Sequence, residues 1–328
     1  MPLQRGPALA VHAVGGVSLD ILRGECLALV GESGSGKTTL ANCIAGALAP
    51  TSGEIFLDDV VLARDGRLVT LPRRERARRI QMVFQDPTSA LNPRLTVRRT
   101  LSEPIRVHGL ADLQPAARLV DDLLERVGLP ADTLHRYPHE LNASQRQRVV
   151  IARALALRPE VLIADEPIAK LDVSMQGQIL NLLGELREEL GLTVLFITHD
   201  LSVVRQIADR VAVLYLGQLM ELASVEAFFA AASHPYSQAL LKSTPRLRAT
   251  AADRTLFTIR GEIPSPINVP PGCPFLSRCP EGDASCALER PPLLAVGAET
   301  DVACWKRYER TPGGAGASLA ESSIGRFA

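Results

Sequence analysis

The stretch 31–38 constrains this chain more than any other part of its sequence. It reads GESGSGKT, which has the spacing G-x-x-x-x-G-K-(S/T), and it follows the apolar run at 26–30. The segment 39–46 after it has the composition of a helix. A buried strand, a tight glycine turn and a helix N-terminus form a cradle for an anion, because backbone N–H groups and the helix dipole point at it. This order of segments favours such a cradle over a glycine-rich turn with a chance lysine.

The side chains of this loop suit the phosphates of a nucleoside triphosphate. In such a cradle Lys37 reaches the β- and γ-phosphates, and Thr38 offers its hydroxyl to Mg²⁺. The sequence therefore predicts a triphosphate-binding site at Gly31, Ser33, Gly34, Ser35, Gly36, Lys37, Thr38 and Thr39.

Composition is that of an ordinary globular protein. Of the 328 residues, 46% are hydrophobic and 22% are charged, which allows one large α/β domain and a small appendage. The formal net charge is zero, so we expect no nucleic-acid partner. The basic run at 73–79 is predicted to be a solvated face beside a strand.

No apolar run approaches the roughly 20 residues that span a bilayer. A cleaved leader would end almost on the phosphate loop, so we expect a cytoplasmic protein.

Apolar runs alternate between strand-like and helix-like segments. Residues 161–164 and 193–198 are typical of strands that are buried on both faces. Between them leucines recur at helical spacing until Gly191, which supplies a stop. Strand, helix and strand with short links predict an α/β fold with a mostly parallel sheet. The block from 86 to about 158 is helical in character, with one helix ended by Gly128, and indicates an inserted helical subdomain.

Polar side chains follow three of the predicted strands. Asp165 and Glu166 end one strand, His199 ends the next, and Gln85 follows the run 79–84. Open α/β sheets bind ligands at the carboxyl ends of their strands. We therefore expect Asp165 to hold Mg²⁺ through water and Glu166 to polarise the attacking water in phosphoryl transfer. A lone histidine at a strand end is more often a surface residue. Its place on the neighbouring strand favours a role for His199.

Together these motifs resemble the ATP-binding subunits of ABC transporters, over nearly the whole chain. The phosphate loop, a glutamine loop at Gln85, the Asp165–Glu166 pair, a D-loop at Asp172 and a switch histidine at His199 occur in that family's order and spacing. The words QDPTSALNPRLTV after Phe84, YPHEL and HPYSQALL resemble the oligopeptide, dipeptide and nickel importers. Within that branch they are closer to the second of the importer's two ATPase subunits, which is called the F subunit.

The resemblance implies a P-loop ABC ATPase core that binds ATP and Mg²⁺. It assigns Thr38, Gln85 and Asp165 to the metal, and Glu166, His199 and Gln85 to the reacting phosphate. ATPase domains of this family work as head-to-tail pairs on two membrane permease subunits, and an extracytoplasmic solute-binding protein delivers the solute. The expected function is ATP hydrolysis coupled to uptake of peptides or a related small solute. The subunit is expected to be peripheral, at the cytoplasmic face of the cell membrane.

The segment at 141–145 departs from the family signature LSGGQ. It reads LNASQ, and in the family this segment caps the partner subunit's ATP. A polar, helix-capping side chain is kept at Asn142, whereas Ala143 and Ser144 add Cβ atoms where glycines let the backbone approach closely. If either position required a positive φ, the strain would be about 1–2 kcal/mol. The candidate ATP contacts of this segment are Asn142, Ala143, Ser144 and Gln145.

An intact phosphate loop beside an altered signature predicts a heterodimer with unequal sites. The D-loop is altered as well, because 169–172 reads AKLD instead of SALD. One site would pair this chain's Lys37 and Glu166 with the normal signature of a paralogous ATPase. The alternative is a regulatory nucleotide-binding subunit with a degenerate ATPase site.

The N-terminal segment lacks the aromatic residue on which the family stacks adenine. No Phe, Tyr or Trp precedes Phe56, and residues 1–10 lack a convincing first strand. Either His12 or a neighbour takes the place of the aromatic side chain, or the coding start is placed too late. The second explanation is favoured.

Six cysteines in a cytoplasmic chain indicate metal binding or packing rather than disulfides. Cys26 and Cys43 are predicted to pack in the core. The other four have the spacing C-x5-C-x6-C-x17-C in a Pro-rich segment: Cys273, Cys279, Cys286 and Cys304. Four thiolates suit Zn²⁺ or a 4Fe–4S cluster, but the C-x2–4-C pairs of structural zinc sites are missing. The words GEIPSPINVPPGCPF and FLSRCP resemble the C-terminal extension of peptide-importer ATPases, whose cysteines hold a 4Fe–4S cluster in some members. The prediction is iron–sulfur ahead of zinc, with free thiols the third option.

These observations predict five successive segments. They are a first part of the ATPase core (1–86), the helical subdomain with the signature (87–158), a second part of the core (159–240), the cysteine-containing extension (241–310) and a disordered tail (311–328).

Overall fold

A computed structural model describes residues 10–69, 71–110, 115–243 and 261–308. The expected tail at 311–328 lies outside the described residues. The strands are β1 (Cys26–Val30), β2 (Glu54–Leu57), β3 (Val60–Arg64), β4 (Arg67–Leu68), β5 (Ile80–Val83), β6 (Val161–Asp165), β7 (Thr193–Thr198), β8 (Arg210–Tyr215), β9 (Gln218–Ser224), β10 (Leu294–Gly297) and β11 (Thr300–Val302). The helices are α1 (Lys37–Ile44), α2 (Arg73–Arg79), α3 (Pro87–Ala90), α4 (Val97–Val107), α5 (Ala116–Arg126), α6 (Ala143–Leu155), α7 (Val173–Leu190), α8 (Leu201–Ile207), α9 (Val225–Ala231), α10 (Pro235–Ser243) and α11 (Trp305–Tyr308). None of the helices in these ranges combines the length and apolar composition that crossing a bilayer requires.

The main sheet has the strand order β10-β11-β9-β8-β1-β7-β6-β5. The run from β8 to β5 is parallel, whereas β9, β11 and β10 add antiparallel strands at one side. The fold is therefore α/β, as predicted, with a mixed sheet. Because β1, β7, β6 and β5 are parallel neighbours, the segments that follow them emerge side by side at one edge.

Both faces of the parallel strands are covered, which explains their unbroken apolar sequences. Alternate residues of β6 show this arrangement, because successive side chains of a strand point to opposite faces. Leu162 and Ala164 share a core with the inserted helices, whereas Ile163 shares a core with Ala41 of α1. Each such Leu or Ile side chain contributes about 1.5–3 kcal/mol when fully buried.

The inserted helical block comprises α3 to α6. Leu101 and Ile105 of α4, Val120 and Leu124 of α5 and Val150 of α6 belong to one buried cluster. The predicted stop after α5 has the expected geometry, with Gly128 at φ +63°. The predicted stop after α7 has it too, with Gly191 at φ +62°. Only glycine adopts this left-handed conformation without a steric penalty.

A three-stranded antiparallel sheet, β2-β3-β4, lies beside the main sheet and was not predicted. The basic run 73–79 forms helix α2 close to it. The prediction of a solvated face was wrong for Arg76, which is buried and donates to the carbonyl oxygens of Leu62 and Val69 at 3.1 and 3.3 Å. A helix turns one side inward, so one arginine of the run holds β3 and the chain after β4 against α2.

The C-terminal extension is continuous with the main sheet and its core. Strand β11 pairs antiparallel with β9, so the sheet continues into the extension. Phe275 is buried in one cluster with Tyr215 and Tyr236. The centroid of its ring lies 5.4 Å from that of Tyr215 and 5.2 Å from that of Tyr236. The extension has too little apolar content for a core of its own, and this packing compensates for it.

Replacing Phe275 by alanine is expected to lower the free energy of unfolding by about 3–4 kcal/mol, because the ring is 1% exposed and leaves a cavity. The control is Leu288→Ala in the same extension, where the side chain is 80% exposed and the change should stay within about 0.5 kcal/mol. Urea unfolding followed by circular dichroism measures both. Equal effects of the two substitutions would contradict a shared core.

Candidate functional site

The predicted phosphate loop connects β1 to α1, and its backbone passes close to neighbouring main chain. A Cβ atom built on Gly31 would lie 2.1 Å from the carbonyl oxygen of Leu214. Gly36 has φ +102° at the N-cap of α1, and its Cβ would lie 2.2 Å from the carbonyl oxygen of Ala13. No side chain fits at either position, which explains the first and last glycines of the motif.

The ammonium group of Lys37 is buried inside this loop. Its Nζ donates to the carbonyl oxygens of Gly31 and Glu32 at 2.7 and 2.9 Å, and to Ser35 Oγ at 3.3 Å. Burial lowers the pKa of Lys37, and this is opposed by the carboxylates of Glu166, Asp165 and Glu32. A buried cation requires such oxygen partners, so the loop carbonyls orient the ammonium within the cradle. The remaining predicted loop residues lie around it, with Ser33 and Gly34 exposed and Thr39 partly buried.

Two of the three residues assigned to Mg²⁺, Thr38 and Asp165, meet where α1 begins and β6 ends, whereas Gln85 donates to Glu166. Thr38 Oγ1 donates to Asp165 Oδ2 at 3.0 Å. Burial raises the pKa of Asp165, and the hydrogen bond from Thr38 acts in the opposite direction. A hydroxyl and one carboxylate are oxygen ligands suited to Mg²⁺, which keeps several of its own waters. These residues therefore fit the metal, which would also offset the cost of burying the Asp165 charge.

Glu166 brings the three residues of the predicted catalytic set together. Its Oε2 accepts from Gln85 Nε2 at 2.7 Å, and its Oε1 lies 3.0 Å from His199 Nδ1. An ionised carboxylate can only accept, so a hydrogen bond between these two atoms requires the histidine proton on Nδ1. Glu166 also has φ +46°, a left-handed conformation that is strained for a residue with a side chain. Strained residues of this kind cluster at functional sites.

The altered signature segment forms the N-terminus of α6. Asn142 and Gln145 make a reciprocal capping box: Gln145 N donates to Asn142 Oδ1 at 2.8 Å, and Asn142 N donates to Gln145 Oε1 at 3.1 Å. Neither Ala143 nor Ser144 has a positive φ. The strain considered for these positions is therefore absent, because α6 already includes both residues in ordinary helical geometry. Within the described ranges, no hydrogen bond joins this segment to the phosphate loop.

The D-loop residue Asp172 caps α7. Its Oδ1 accepts from Met175 N at 2.9 Å and from Ser174 Oγ at 2.7 Å. Sequence reasoning missed the role of Lys170, whose Nζ lies 3.1 Å from Asp86 Oδ1. A hydrogen bond from Lys170 lowers the pKa of Asp86. The lysine that distinguishes this D-loop therefore joins it to the residue next to Gln85.

The segment before β1 runs along the phosphate loop. Gly15 N donates to the carbonyl oxygen of Gly217 at 2.7 Å, and Gly217 N donates to that of Ser35 at 2.8 Å. The backbone N–H of His12 donates to the carbonyl oxygen of Pro266 at 2.9 Å. A role for His12 at adenine stays a prediction, and residues 1–9 lie outside the described part of the chain.

Two further supports of the loop come from the C-terminal half, and no local motif indicated their contacts with it. The backbone N–H of Glu32 donates to Tyr236 Oη at 2.9 Å. Its carboxylate accepts from Arg278 of the extension at 2.6 and 3.1 Å. Tyr236 lies within the word HPYSQALL, so family resemblance marked the residue but not its contact.

The four cysteines of the extension line one small cavity together with His234. None of the four forms a disulfide, and Cys273 N donates to the carbonyl oxygen of Cys286 at 2.8 Å. The pKa of Cys273 is raised to about 11, mainly by burial and to a smaller extent by the neighbouring thiols. Burial likewise raises the pKa of Cys279 and of Cys304. Among the described residues, no three His, Cys, Asp or Glu side chains have the geometry of a metal site. Cys26 and Cys43 are buried away from this cavity.

Two family descriptions match the chain. Residues 14–169 match "ABC transporter", and residues 220–286 match "Oligopeptide/dipeptide transporter, C-terminal region". The first match includes the phosphate loop, Gln85 and Glu166, and the second includes Tyr236 and Arg278.

Similar proteins cover most of the chain. A putative peptide import ATP-binding protein of Brucella abortus is 49% identical over 91% of this chain and 88% of its own length. The putative oligopeptide transport ATP-binding protein YkfD of Bacillus subtilis is 46% identical over 93% and 92%.

Solved structures share the fold over a smaller part. The ATP-binding cassette MJ0796 bound to ADP and phosphate matches with a TM-score of 0.58 and 31% identity, over 65% of this chain and 90% of that one. CbiO1 of Clostridium perfringens, part of the complex cbiONQ, matches with a TM-score of 0.58 and 32% identity, over 66% and 84%.

Restoring the first glycine of the signature is expected to lower the stability of the protein, because there is no backbone strain at this position to relieve. Ala143→Gly should lower the free energy of unfolding by up to about 0.5 kcal/mol, because the residue is helical and unstrained but lies at the first position of α6, where glycine costs less than in a helix interior. Ala116→Gly is the matched control, since Ala116 is also the first residue of its helix and partly buried against the same core. Chemical unfolding should give similar losses for both. A gain in stability for Ala143→Gly alone would contradict this geometry.

Proposed function

Because this chain belongs to the ABC transporter family and carries the C-terminal region of oligopeptide/dipeptide transporters, we propose that it is the ATP-hydrolysing subunit of an importer. The cargo proposed is peptides or a related small solute, in line with relatives named for peptide import and oligopeptide transport. The observation that carries the proposal is the contact of the Glu166 carboxylate with both Gln85 and His199.

Binding of ATP is proposed to depend on the loop amides and Lys37. The ammonium already lies inside the loop, held by two carbonyl oxygens at 2.7 and 2.9 Å. Phosphate oxygens are charged acceptors and form stronger hydrogen bonds with an ammonium than carbonyl oxygens do. Thr38 and Asp165, with Gln85 as third predicted ligand, would hold Mg²⁺, which supplies neutralisation of phosphate charge when bound.

Hydrolysis is proposed to rely on Glu166. Its carboxylate accepts a hydrogen bond from water and orients it toward the γ-phosphorus. As the water oxygen bonds to phosphorus, the bond to the bridging oxygen breaks and its electron pair leaves with ADP, while one water proton passes to the carboxylate and the other stays on the phosphate. Gln85 and His199 hold the two carboxylate oxygens, so the group is fixed before the reaction begins. Strain at Glu166 is consistent with a side chain positioned for catalysis rather than for stability.

The signature segment is proposed to face the ATP of a partner ATPase. The capping box leaves it in regular helical geometry, so an altered sequence still presents a helix N-terminus. We propose a paralogous ATPase as that partner and two permease subunits as the membrane component, with a solute-binding protein outside. The subunit would then be peripheral, at the cytoplasmic face of the membrane.

Glu166→Gln is expected to reduce ATPase activity at least about 100-fold, because the amide is a much weaker acceptor for the attacking water. MgATP affinity should not fall by more than about twofold, since the Glu166 carboxylate has no hydrogen-bond donor to offer the phosphates. Glu188→Gln, an exposed position on α7, is the control and should leave both unchanged. Steady-state phosphate release by the complete complex, together with calorimetric titration of MgATP, measures them.

The equivalent substitution in the paralogous subunit tests the unequal sites. A much smaller loss there than for Glu166→Gln supports them, and equal losses contradict them. Full activity of the Glu166→Gln complex would instead favour the regulatory alternative for this chain.

For the extension we propose a 4Fe–4S cluster held by Cys273, Cys279, Cys286 and Cys304. Support comes from the four cysteines that line one cavity without forming disulfides, and from the absence of close C-x2–4-C pairs typical of zinc. Because the described side chains do not have the geometry of a metal site, cluster binding would have to bring the four sulfurs together. Such ligation requires thiolates, which burial disfavours at Cys273, Cys279 and Cys304, so attraction to the bound iron would have to offset that cost.

Anaerobically purified protein is expected to be brown, with absorbance near about 400 nm and iron and sulfide in a ratio of about one. Cys279→Ser should abolish the absorbance, whereas Cys43→Ser, outside the extension, should preserve it. Colourless protein with one zinc per chain would replace iron–sulfur by zinc, and metal-free protein would indicate packed thiols.

A further inference from the structure

We propose that Arg278 of the C-terminal extension is a positioning residue for the phosphate loop and acts through Glu32. The inference rests on the proposed role of this loop in binding MgATP. It makes the extension part of the nucleotide site, although Arg278 and Glu32 lie 246 residues apart in sequence.

The contact has the geometry of a strong ion pair. Arg278 Nη1 donates to Glu32 Oε2 at 2.6 Å, and Nη2 donates to Oε1 at 3.1 Å. Two parallel bonds of this kind fix the relative orientation of both groups. The Arg278 side chain is 5% exposed and that of Glu32 is 25% exposed, so water screens the pair poorly. The hydrogen bond with Glu32 also raises the pKa of Arg278.

Arg278 is itself held by the core. Nη1 also donates to Tyr215 Oη at 3.2 Å, and the guanidinium carbon lies 5.8 Å from the Tyr215 ring centroid. Tyr215 is the last residue of β8, the strand next to β1. The arginine therefore connects the loop to the sheet rather than to a mobile surface.

Glu32 passes this restraint on to the cradle. Its backbone N–H donates to Tyr236 Oη at 2.9 Å, while its carbonyl oxygen accepts from Lys37 Nζ at 2.9 Å. One residue is thus held at its side chain and its N–H group while it orients the lysine. A loop fixed in advance loses less conformational freedom when phosphate binds, which increases affinity.

The charge of Arg278 has a second effect. Glu32 places a carboxylate in a loop proposed to bind a triphosphate, and like charges repel. The guanidinium neutralises this carboxylate. Loss of Arg278 would therefore loosen the loop and expose the phosphates to an uncompensated negative charge.

Calorimetric titration of MgATP into the full-length protein tests the proposal. Arg278→Ala is expected to raise the Kd by about tenfold, which corresponds to about 1.4 kcal/mol. Arg278→Lys keeps the charge but loses the paired geometry, and should raise the Kd by about threefold. The matched control is Arg307→Ala. Arg307 lies in the same extension, its side chain is 10% exposed, and its two Nη atoms donate to the Glu281 carboxylate at 2.7 Å each. The substitution therefore removes a comparable ion pair that does not touch the phosphate loop. Its Kd should change less than about twofold.

A double-substitution cycle with Glu32→Gln separates positioning from general stability. If Arg278 acts through Glu32, the combined variant should bind MgATP no more weakly than Arg278→Ala, because the repelling charge is also gone. A merely structural arginine would give losses that multiply. Thermal unfolding without nucleotide checks that each variant is folded, and Arg278→Lys carries the test if the alanine variant is not.

The outcomes distinguish this inference from the proposed function. Wild-type protein that does not bind MgATP would overturn the proposed function. Normal wild-type binding, with Arg278→Ala equal to Arg307→Ala or with multiplicative losses in the cycle, would overturn the positioning role alone.

Discussion

The conformation of the phosphate loop depends on the hydrogen bonds that the buried ammonium group of Lys37 donates. A cation in the interior requires oxygen acceptors, and the loop carbonyls of Gly31 and Glu32 provide them. For these carbonyls to point inward, the loop must pass against other main chain, as Gly31 does against Leu214. Strand β1 supplies the rigid base, because it is buried between β7 and β8 in the sheet. The geometry that binds phosphate is therefore a property of the surrounding sheet as much as of the loop.

The strand order also creates the reacting centre. Because β1, β7, β6 and β5 are neighbours, Lys37, His199, Glu166 and Gln85 emerge at one edge. Contact among the last three holds a carboxylate at both oxygens, and Glu166 adopts a strained backbone at that point. Strain of about 1–3 kcal/mol persists only where surrounding structure enforces it. Pairing of β6 with β7 and hydrogen bonding of the carboxylate provide that enforcement.

The C-terminal extension shows how a segment with a weak core of its own becomes structural. Strand β11 joins the sheet, Phe275 fills an aromatic cluster, and Arg278 reaches the phosphate loop. The inserted helices and the extension thus contact the ATPase core at different places. The helical block packs on the face that includes Leu162, whereas the extension supports the loop from the side of β8.

The sequence by itself determined the features that local spacing encodes. The glycine-lysine loop, the apolar strands, the helix stops at Gly128 and Gly191 and the polar residues after the strands follow from short-range sterics and from periods of 2.0 and 3.6. Helical geometry at Ala143 and the burial of Arg76 depended on packing partners, so the expectations there were conditional or wrong. Only the tertiary structure decided that Glu166 meets His199 and that Arg278 meets Glu32. Strand order and the docking of a distant segment depend on the burial of whole surfaces, which no local pattern records.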